Sequence, residues 1–127
     1  MDCRMKIRYV RLHSDEKGES HFADEEADAE PSDFAPPAPS LYTTVPVPVN
    51  QFLFLVIPQR WYGDWHPAPH RQLMILISGE VQTTVSDGEV RRFRQGDVVL
   101  LEDTSGKGHT TQCMNGNAVF AVAQLSQ

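Results

Sequence analysis

The chain has 127 residues, of which 40% are hydrophobic, and its formal net charge is -6 at pH 7. That length fits a single domain, and the acidic balance argues against a general nucleic-acid binder, which normally carries a basic stripe. The longest apolar stretch, 52–58, is far shorter than the roughly 20 residues that span a bilayer. The N-terminal residues also lack the apolar segment of a signal peptide, so we expect a cytoplasmic protein with no nucleic-acid or membrane partner.

The first 40 residues predict a strand followed by an arm. Residues 5–12 alternate charged and apolar side chains and predict the strand. Between Asp15 and Asp33 lie nine carboxylates and one lysine, and three prolines follow within 36–39. Such a stretch buries little apolar surface, so we predict a loop or an extended arm. We assign 1–40 to this strand and the acidic, proline-rich arm, and 41–127 to the regular domain.

The remainder of the chain predicts consecutive short strands. All nine prolines precede residue 70, and proline is confined to strand edges and loops because it cannot donate to a ladder. Asp-Gly at 87–88 and Asn-Gly at 115–116 have the composition of two-residue hairpin turns. Short strands at this spacing predict an all-β sandwich or barrel. The predicted strands are 41–49, 52–57, 72–78, 80–86, 89–94, 97–101, 109–114 and 118–125.

Several kinds of chemistry lack their motif in this sequence. No GxSxG or HExxH pattern is present, so ordinary hydrolase machinery is not indicated. The TSGKG stretch at 104–108 does not have the spacing of a phosphate-binding loop. Cys3 and Cys113 are not part of a CxxC pair, which excludes a zinc ribbon, and we expect both to be free thiols.

The segment 65–109 carries the spacing of two known motifs. His66 and Gln72 precede Gly79, with six residues between Gln72 and Gly79. Gly96 and His109 follow beyond the predicted hairpin. These spacings resemble the two motifs of the cupin superfamily, which lie on neighbouring strands. The resemblance implies an all-β fold, a small cupin-type jelly-roll β-barrel with an extended N-terminal arm.

The resemblance also implies a metal site, which is modified in this chain. In cupins, two histidines and a glutamate of the first motif and one histidine of the second ligate a divalent metal. Here His66, Gln72 and His109 take three of these places, and Ala68 takes the place of the second histidine. His70 shares strand parity with His66 and is the candidate fourth ligand, the alternative being a turn residue that points to solvent. An amide is a weak neutral ligand, so the implied cofactor is one divalent transition metal (Zn, Ni, Fe or Mn) or none.

Residues near these positions are candidates for catalysis and binding. His66, His109 and Glu102 are the candidate acid–base groups, and Asp103 is the alternative to Glu102, because adjacent strand residues point to opposite faces. The aromatic candidates form either a stacking wall for a ligand or ordinary packing at the rim or in the core. The candidate ligand contacts are Trp61, Tyr62, Trp65, Gln72 and Lys107.

Two functions remain open at this stage. One is an enzyme that acts on a small organic molecule, with a metal or with His66 as an acid–base group. The other is a non-catalytic module that binds a small ligand without metal, which a site lacking a carboxylate favours. The predicted partner is a small molecule in both. Because cupins commonly pair, and because Phe34 and Leu41 of the arm offer an edge to a partner, we also predict a homodimer.

Overall fold

The computed structural model describes residues 5–126, and Cys3 lies outside this range. Every regular element within residues 5–126 is a strand, and no helix there is long and apolar enough to cross a membrane. The all-β prediction is confirmed. The strands are β1 (Met5–Ser14), β2 (Ser20–Ser32), β3 (Leu41–Thr43), β4 (Val49–Ile57), β5 (Tyr62–His66), β6 (Gln72–Ser78), β7 (Val81–Val85), β8 (Val90–Phe93), β9 (Val98–Leu101), β10 (His109–Cys113) and β11 (Ala118–Leu125).

The strands form two sheets that face each other. One sheet has seven strands in the order β3-β2-β1-β9-β6-β11-β4, and the other has four in the order β5-β10-β7-β8. Neighbouring strands are antiparallel except β1 and β9, which pair in parallel. This layout agrees with the predicted jelly roll. Within residues 5–126 no ladder joins the two sheets, so the barrel is open and the fold is a two-sheet sandwich.

The hydrophobic core fills the space between the two sheets. Successive side chains of a strand point to opposite faces, so every second residue faces inward. In β7, residues 81, 83 and 85 are buried while 82 and 84 are partly exposed. The buried core consists of Leu12, Phe22, Ile57, Ala68, Met74, Leu76, Val81, Val85, Phe93, Val99, Leu101, Cys113, Ala118, Phe120 and Val122.

The acidic segment forms a strand, which corrects the predicted loop or arm. β2 pairs with the whole of β1, from Ser14↔Ser20 to Met5↔Ala29. Basic side chains of β1 lie beside the carboxylates of β2; the Lys6 ammonium, for example, is 2.6 Å from an Asp28 carboxylate oxygen. Phe22 on the same strand is buried in the core. The composition of a segment does not reveal a partner strand of opposite charge, and for that reason the prediction was wrong here.

Two further boundaries differ from the predicted strands. The 41–49 prediction shortens to β3, because Pro46 and Pro48 cannot donate to a ladder. The segment 62–66 forms β5, which the pattern did not predict as a strand. The residues 33–40 stay outside any strand, in agreement with their proline content.

A histidine links two turns at one end of the sandwich. His21 lies between two carboxylates: its Nε2 is 2.8 Å from Asp15 Oδ2 and its Nδ1 is 2.8 Å from Asp87 Oδ2. Asp15 belongs to the turn between β1 and β2, and Asp87 to the turn between β7 and β8. The hydrogen bonds to Asp15 and Asp87 raise the pKa of His21 above its usual value. When both ring nitrogens carry a proton, each donates to one carboxylate, and His21 then links the two sheets.

This contact predicts a pH-dependent contribution to stability. A histidine whose pKa is higher in the folded state than in the unfolded state stabilises the fold below its unfolded pKa, and this gain is lost as the pH rises through its folded pKa. We expect His21→Gln to lower the free energy of unfolding clearly at about pH 5.5 and much less at about pH 9. Urea unfolding at both pH values measures this, with the exposed His70→Gln as the matched control. An equal loss at both pH values would contradict the prediction.

Candidate functional site

A cavity of about 310 Å³ lies between the two sheets. Most of its wall is apolar, with side chains from strands of both sheets. A concave, largely apolar pocket with a few convergent polar groups is the usual form of a small-molecule site. The polar residues of the wall are His66, Gln72, Thr83, His109 and Thr111.

The two histidines come together because their strands pair. His66 ends β5 and His109 begins β10, and the two residues are direct cross-strand partners. Their ring centroids are 4.7 Å apart and the ring planes are inclined by 54°. His109 is buried and His66 is partly exposed. The structure thus places the two imidazoles side by side on one wall of the cavity.

Each imidazole is held by a hydrogen bond at Nδ1. His66 Nδ1 is 2.5 Å from the backbone carbonyl oxygen of Asp64, and His109 Nδ1 is 2.6 Å from the carboxylate Oδ2 of Asp103. A neutral imidazole that donates from Nδ1 keeps its lone pair on Nε2. These contacts therefore leave both Nε2 atoms available to accept a hydrogen bond from a ligand.

Asp103 is the positioning residue of the site. Its side chain is fully buried, with an exposed fraction of 0%. Oδ2 contacts His109, whereas Oδ1 has no hydrogen-bond partner within the described residues. A buried carboxylate oxygen without a partner is costly for the stability of the fold, which is typical of a group retained for function. By accepting a hydrogen bond from Nδ1, the carboxylate fixes the orientation of the His109 ring and keeps the lone pair on Nε2.

Glu102, a predicted acid–base group, lies outside the cavity wall. It does not line the cavity and instead forms ion pairs with Arg11 and with Arg71, the latter at 2.5 Å. Burial alone would raise the pKa of Glu102, but the hydrogen bonds from the two arginines outweigh this effect and hold the pKa below its usual value. Both residues follow the end of β9, and Asp103 is the one whose buried side chain contacts His109.

Gln72 on β6 is buried in the part of the cavity wall that the seven-stranded sheet forms. The strands that carry His66 and His109 belong to the opposite, four-stranded sheet. The side-chain oxygen of Gln72 accepts a hydrogen bond from Gln124 Nε2 at 3.3 Å, and its Nε2 lies 3.7 Å from Met74 Sδ. The structure therefore brings Gln72, His66 and His109 to the same cavity, on two different sheets. The hydrogen bond with Gln124 agrees equally with a purely structural amide.

The remaining sequence candidates divide between the cavity and the surface. Trp61 lines the cavity. Trp65 and Tyr62 are 48% and 55% exposed and do not belong to its wall. Lys107 is also exposed and forms an ion pair with Glu19 at 2.6 Å. His70 is exposed in the loop before β6. This position agrees with the alternative prediction, a turn residue that points to solvent.

Several cavity residues were not selected from the sequence. Thr83 and Thr111 contribute hydroxyl groups to the wall. The alternation of β7 points Thr83 inward together with Val81 and Val85, so its strand pattern could have identified it. Thr111 lies two residues after His109 on β10 and is the cross-strand partner of Thr83, so the same alternation could have identified it.

Two glycines permit the close approach of the histidine strands. A Cβ at Gly108, which has φ +73°, would overlap the carbonyl group of His66. A Cβ at Gly63 would overlap the Trp61 ring and lie 3.1 Å from Cε1 of His66. A side chain at Gly108 would push β5 away from β10, and a side chain at Gly63 would displace the rings of Trp61 and His66. Backbone space, more than side-chain contact, therefore sets the geometry of the site.

The Gly108→Ala variant tests whether the fold depends on the close approach of Gly108 to His66. The substitution adds left-handed backbone strain of about 1–2 kcal/mol and also a direct clash, so we expect a loss of stability well above that of the strain alone. Gly88→Ala is the matched control, because Gly88 has φ +101° but nothing within 4 Å of an added Cβ. Denaturant unfolding of both variants gives the comparison. Equal losses would mean that the approach of Gly108 to His66 is not tight.

The donor set does not fit a resident metal ion. Two imidazole Nε2 atoms are available and their Nδ1 contacts resemble those of metal-ligating histidines. However, Gln72 offers only a neutral oxygen that Gln124 already contacts. Within residues 5–126 no group of three or more His, Cys, Asp or Glu side chains is placed to hold a metal. The chemistry of the pocket is therefore derived from its own side chains.

Comparisons with known proteins bear on the fold. No family model matches the sequence, and no curated protein matches it. The protein SPY1581 of unknown function from Streptococcus pyogenes aligns with a TM-score of 0.47 and 16% identity over 60% of this chain and 64% of its own, so this chain spans less than two thirds of it. The protein NMB1881 from Neisseria meningitidis aligns with a TM-score of 0.46 and 15% identity over 61% of this chain and 79% of its own.

A third structure covers the whole chain. The cupin domain of Schizosaccharomyces pombe Cnp3 aligns with a TM-score of 0.50 and 8% identity over 100% of this chain and 86% of its own. The two bacterial structures are too dissimilar to support an argument, and an identity of 8% shows a shared fold and nothing more. Together with the two-sheet jelly roll and the paired motif histidines, this alignment shows that the chain has a cupin fold.

Proposed function

We propose that this protein binds a small, largely apolar organic molecule whose donor group forms a hydrogen bond to His109 Nε2, with His66 Nε2 beside it as a second acceptor. The observation that carries the proposal is the pair of imidazoles whose Nδ1 atoms are both engaged, at the wall of an apolar cavity. The apolar wall favours burial of a hydrocarbon body. The two Nε2 acceptors favour a hydroxyl or another donor group at one end of the ligand.

The volume of the cavity restricts the ligand to a small molecule. Sites for drug-sized ligands have about 300–1,000 Å³, and the cavity of about 310 Å³ lies at the lower limit. Neither Lys nor Arg belongs to its wall within the described residues. A permanently charged anion such as a phosphate ester would therefore enter without a matching cation, which disfavours it.

Two matched small molecules test whether the pocket prefers a ligand that carries a hydrogen-bond donor. Para-cresol and toluene have similar apolar bodies, but only para-cresol carries a hydroxyl. We expect para-cresol to bind about tenfold more tightly, which corresponds to one net hydrogen bond of roughly 1.4 kcal/mol. Isothermal titration calorimetry with each compound measures the difference.

Variants assign the difference to the histidines. His109→Ala is expected to reduce the preference for para-cresol to near unity, whereas His70→Ala, outside the cavity, is expected to leave it unchanged. Asp103→Asn should weaken the preference without removing it, because the ring remains but its acceptor is less well oriented. If the parent protein binds both compounds equally well, or neither, the proposal is wrong.

An enzyme is the second candidate, and the contact between Asp103 and His109 favours it. A buried carboxylate that orients a histidine is a common arrangement in general base catalysis. In this function His109 Nε2 would accept a proton from the bound molecule. Exchange of the α-protons of propiophenone in D₂O, catalysed by the parent and lost in His109→Ala, would favour an enzyme over a binding module.

A titration with zinc tests whether the lack of a negative charge at Gln72 prevents the pocket from binding a metal ion. Gln72→Glu supplies a carboxylate at the place where the cupin motif has one, and this charge offsets that of the ion in a low-dielectric pocket. We expect Zn²⁺ to bind this variant at least about tenfold more tightly than the parent. Calorimetry on tag-free protein measures both affinities.

The control for this titration removes one imidazole. In the Gln72→Glu protein, a further His109→Ala change is expected to return the Zn²⁺ affinity to that of the parent, because only two donors then remain. If Gln72→Glu alone binds Zn²⁺ no better than the parent, residue 72 does not occupy a ligand position.

A further inference from the structure

The indole ring of Trp61 lies at the opening of the cavity between the two sheets. Trp61 lines the cavity and is nevertheless 41% exposed, so one part of the ring faces the interior and another part faces solvent. The residue belongs to the segment 58–61, where the chain crosses from β4 in the seven-stranded sheet to β5 in the four-stranded sheet. A hydrogen bond between a ligand and the two histidines leaves this ring without a role.

Hydrogen bonds from both sheets hold the backbone that carries the ring. The Trp61 N–H donates to the carbonyl oxygen of Pro58 at 3.0 Å, and the Trp61 carbonyl accepts from the N–H of Cys113 on β10 at 2.9 Å. The N–H of Gln59 donates to the side-chain oxygen of Asn117, just before β11, at 2.8 Å. The ring is therefore attached to a turn that is fixed at both of its ends.

The same turn contains a backbone conformation that is unfavourable for its residue. Arg60 has φ +69°, and it is the one non-glycine residue with a positive φ within residues 5–126. The Cβ atom makes this left-handed conformation costly. It persists only where the surrounding structure imposes it, and such residues cluster at ligand-binding sites. Because Arg60 directly precedes Trp61, this turn sets the direction in which the indole leaves the backbone.

The indole folds back over Gly63 and reaches His66. Gly63 is buried on β5 and is the cross-strand partner of Thr111, whose side chain lines the cavity. A Cβ at Gly63 would overlap the far edge of the indole, at Cη2 and Cζ3, and would lie 3.1 Å from Cε1 of His66. Both rings therefore occupy the space above Gly63. Since Cε1 is bonded to Nε2, the indole lies beside the acceptor atom of His66.

Three aromatic rings thus border the place of the ligand's donor group: the imidazoles of His66 and His109 and the indole of Trp61. A hydroxyl that is bonded directly to an aromatic ring brings that ring to the same end of the cavity. Building on the binding of a donor group proposed above, we infer that the ligand is a phenol whose aromatic ring packs against the indole of Trp61.

A phenol also matches the charge of the pocket. Its hydroxyl has a pKa of about 10, so at neutral pH it donates a hydrogen bond without carrying a charge. An aromatic carboxylic acid would enter ionised, which is costly, because neither Lys nor Arg belongs to the cavity wall in the described part of the chain. Aromatic pairs also contribute binding free energy beyond the area that they bury, and a saturated alcohol lacks this contribution.

Two alcohols of similar shape separate the ring contact from the hydrogen bond. Para-cresol and trans-4-methylcyclohexanol both carry a hydroxyl and a methyl group on a six-membered ring, but only para-cresol is aromatic. We expect Trp61→Leu to lower the preference for para-cresol over the saturated alcohol about fivefold, which corresponds to roughly 1 kcal/mol of ring–ring contact. Comparing the preferences of the two proteins cancels the lost apolar area and the greater acidity of the phenol. Calorimetric titration measures these affinities.

Trp65→Leu is the matched control. Trp65 is 48% exposed, similar to Trp61, but does not belong to the cavity wall, so its loss is expected to leave the preference unchanged. Trp61→Phe keeps an aromatic ring and should retain most of the preference. An equal preference in the parent and in Trp61→Leu overturns the inference, while the binding of a donor group stands. If the parent binds neither alcohol, the proposed function and this inference are both wrong.

The fluorescence of Trp61 provides an independent measurement. The chain has two tryptophans, so the Trp65→Phe protein contains Trp61 as its single indole. Saturation with trans-4-methylcyclohexanol, which does not absorb the exciting light, is expected to displace water from the ring and to shift its emission to shorter wavelength. The Trp61→Phe protein, whose single indole is Trp65, should show no shift. A saturated Trp65→Phe protein without a shift would mean that the ligand does not contact Trp61, and the inference is then wrong.

Discussion

The close approach of Gly108 to the carbonyl group of His66 is the contact on which the site depends. It lets the start of β10 lie directly against the end of β5, so that two histidines 43 positions apart in sequence become cross-strand partners. A residue with a side chain at this point would separate the strands. The two imidazoles would then no longer share one wall of the cavity, and their common access to a ligand would be lost.

The second determinant is the buried carboxylate of Asp103. In a low-dielectric interior a hydrogen bond to a charged group is stronger than at the surface, and a polar atom without a partner costs more. Asp103 shows both effects, because one oxygen holds His109 while the other has no partner among the described residues. The carboxylate thus holds His109 in one orientation at the largely apolar wall of the cavity, as a site for binding or proton transfer requires.

The same strands serve two surfaces. The alternation of β4, β6 and β11 sends one set of side chains into the cavity, including Ile57, Met74 and Phe120. The other set points outward, and it includes the exposed apolar side chains of Phe52, Phe54 and Ile75. The inner side chains pack against the four-stranded sheet.

The sequence by itself determined the strand content and much of the site. Its turn residues and period-two alternation reveal the all-β fold, and the motif spacing selected His66, Gln72 and His109, which meet in one cavity. The turn residues and the alternation are local signals, because each can be read from a single strand and the turns beside it. Only the tertiary structure decided that the acidic segment is a strand, because its composition does not show that its carboxylates lie beside the basic side chains of β1. The tertiary structure likewise decided that Asp103, and not Glu102, contacts His109. The register of β5 on β10, set by backbone space at Gly108, brings residues together that no local pattern connects.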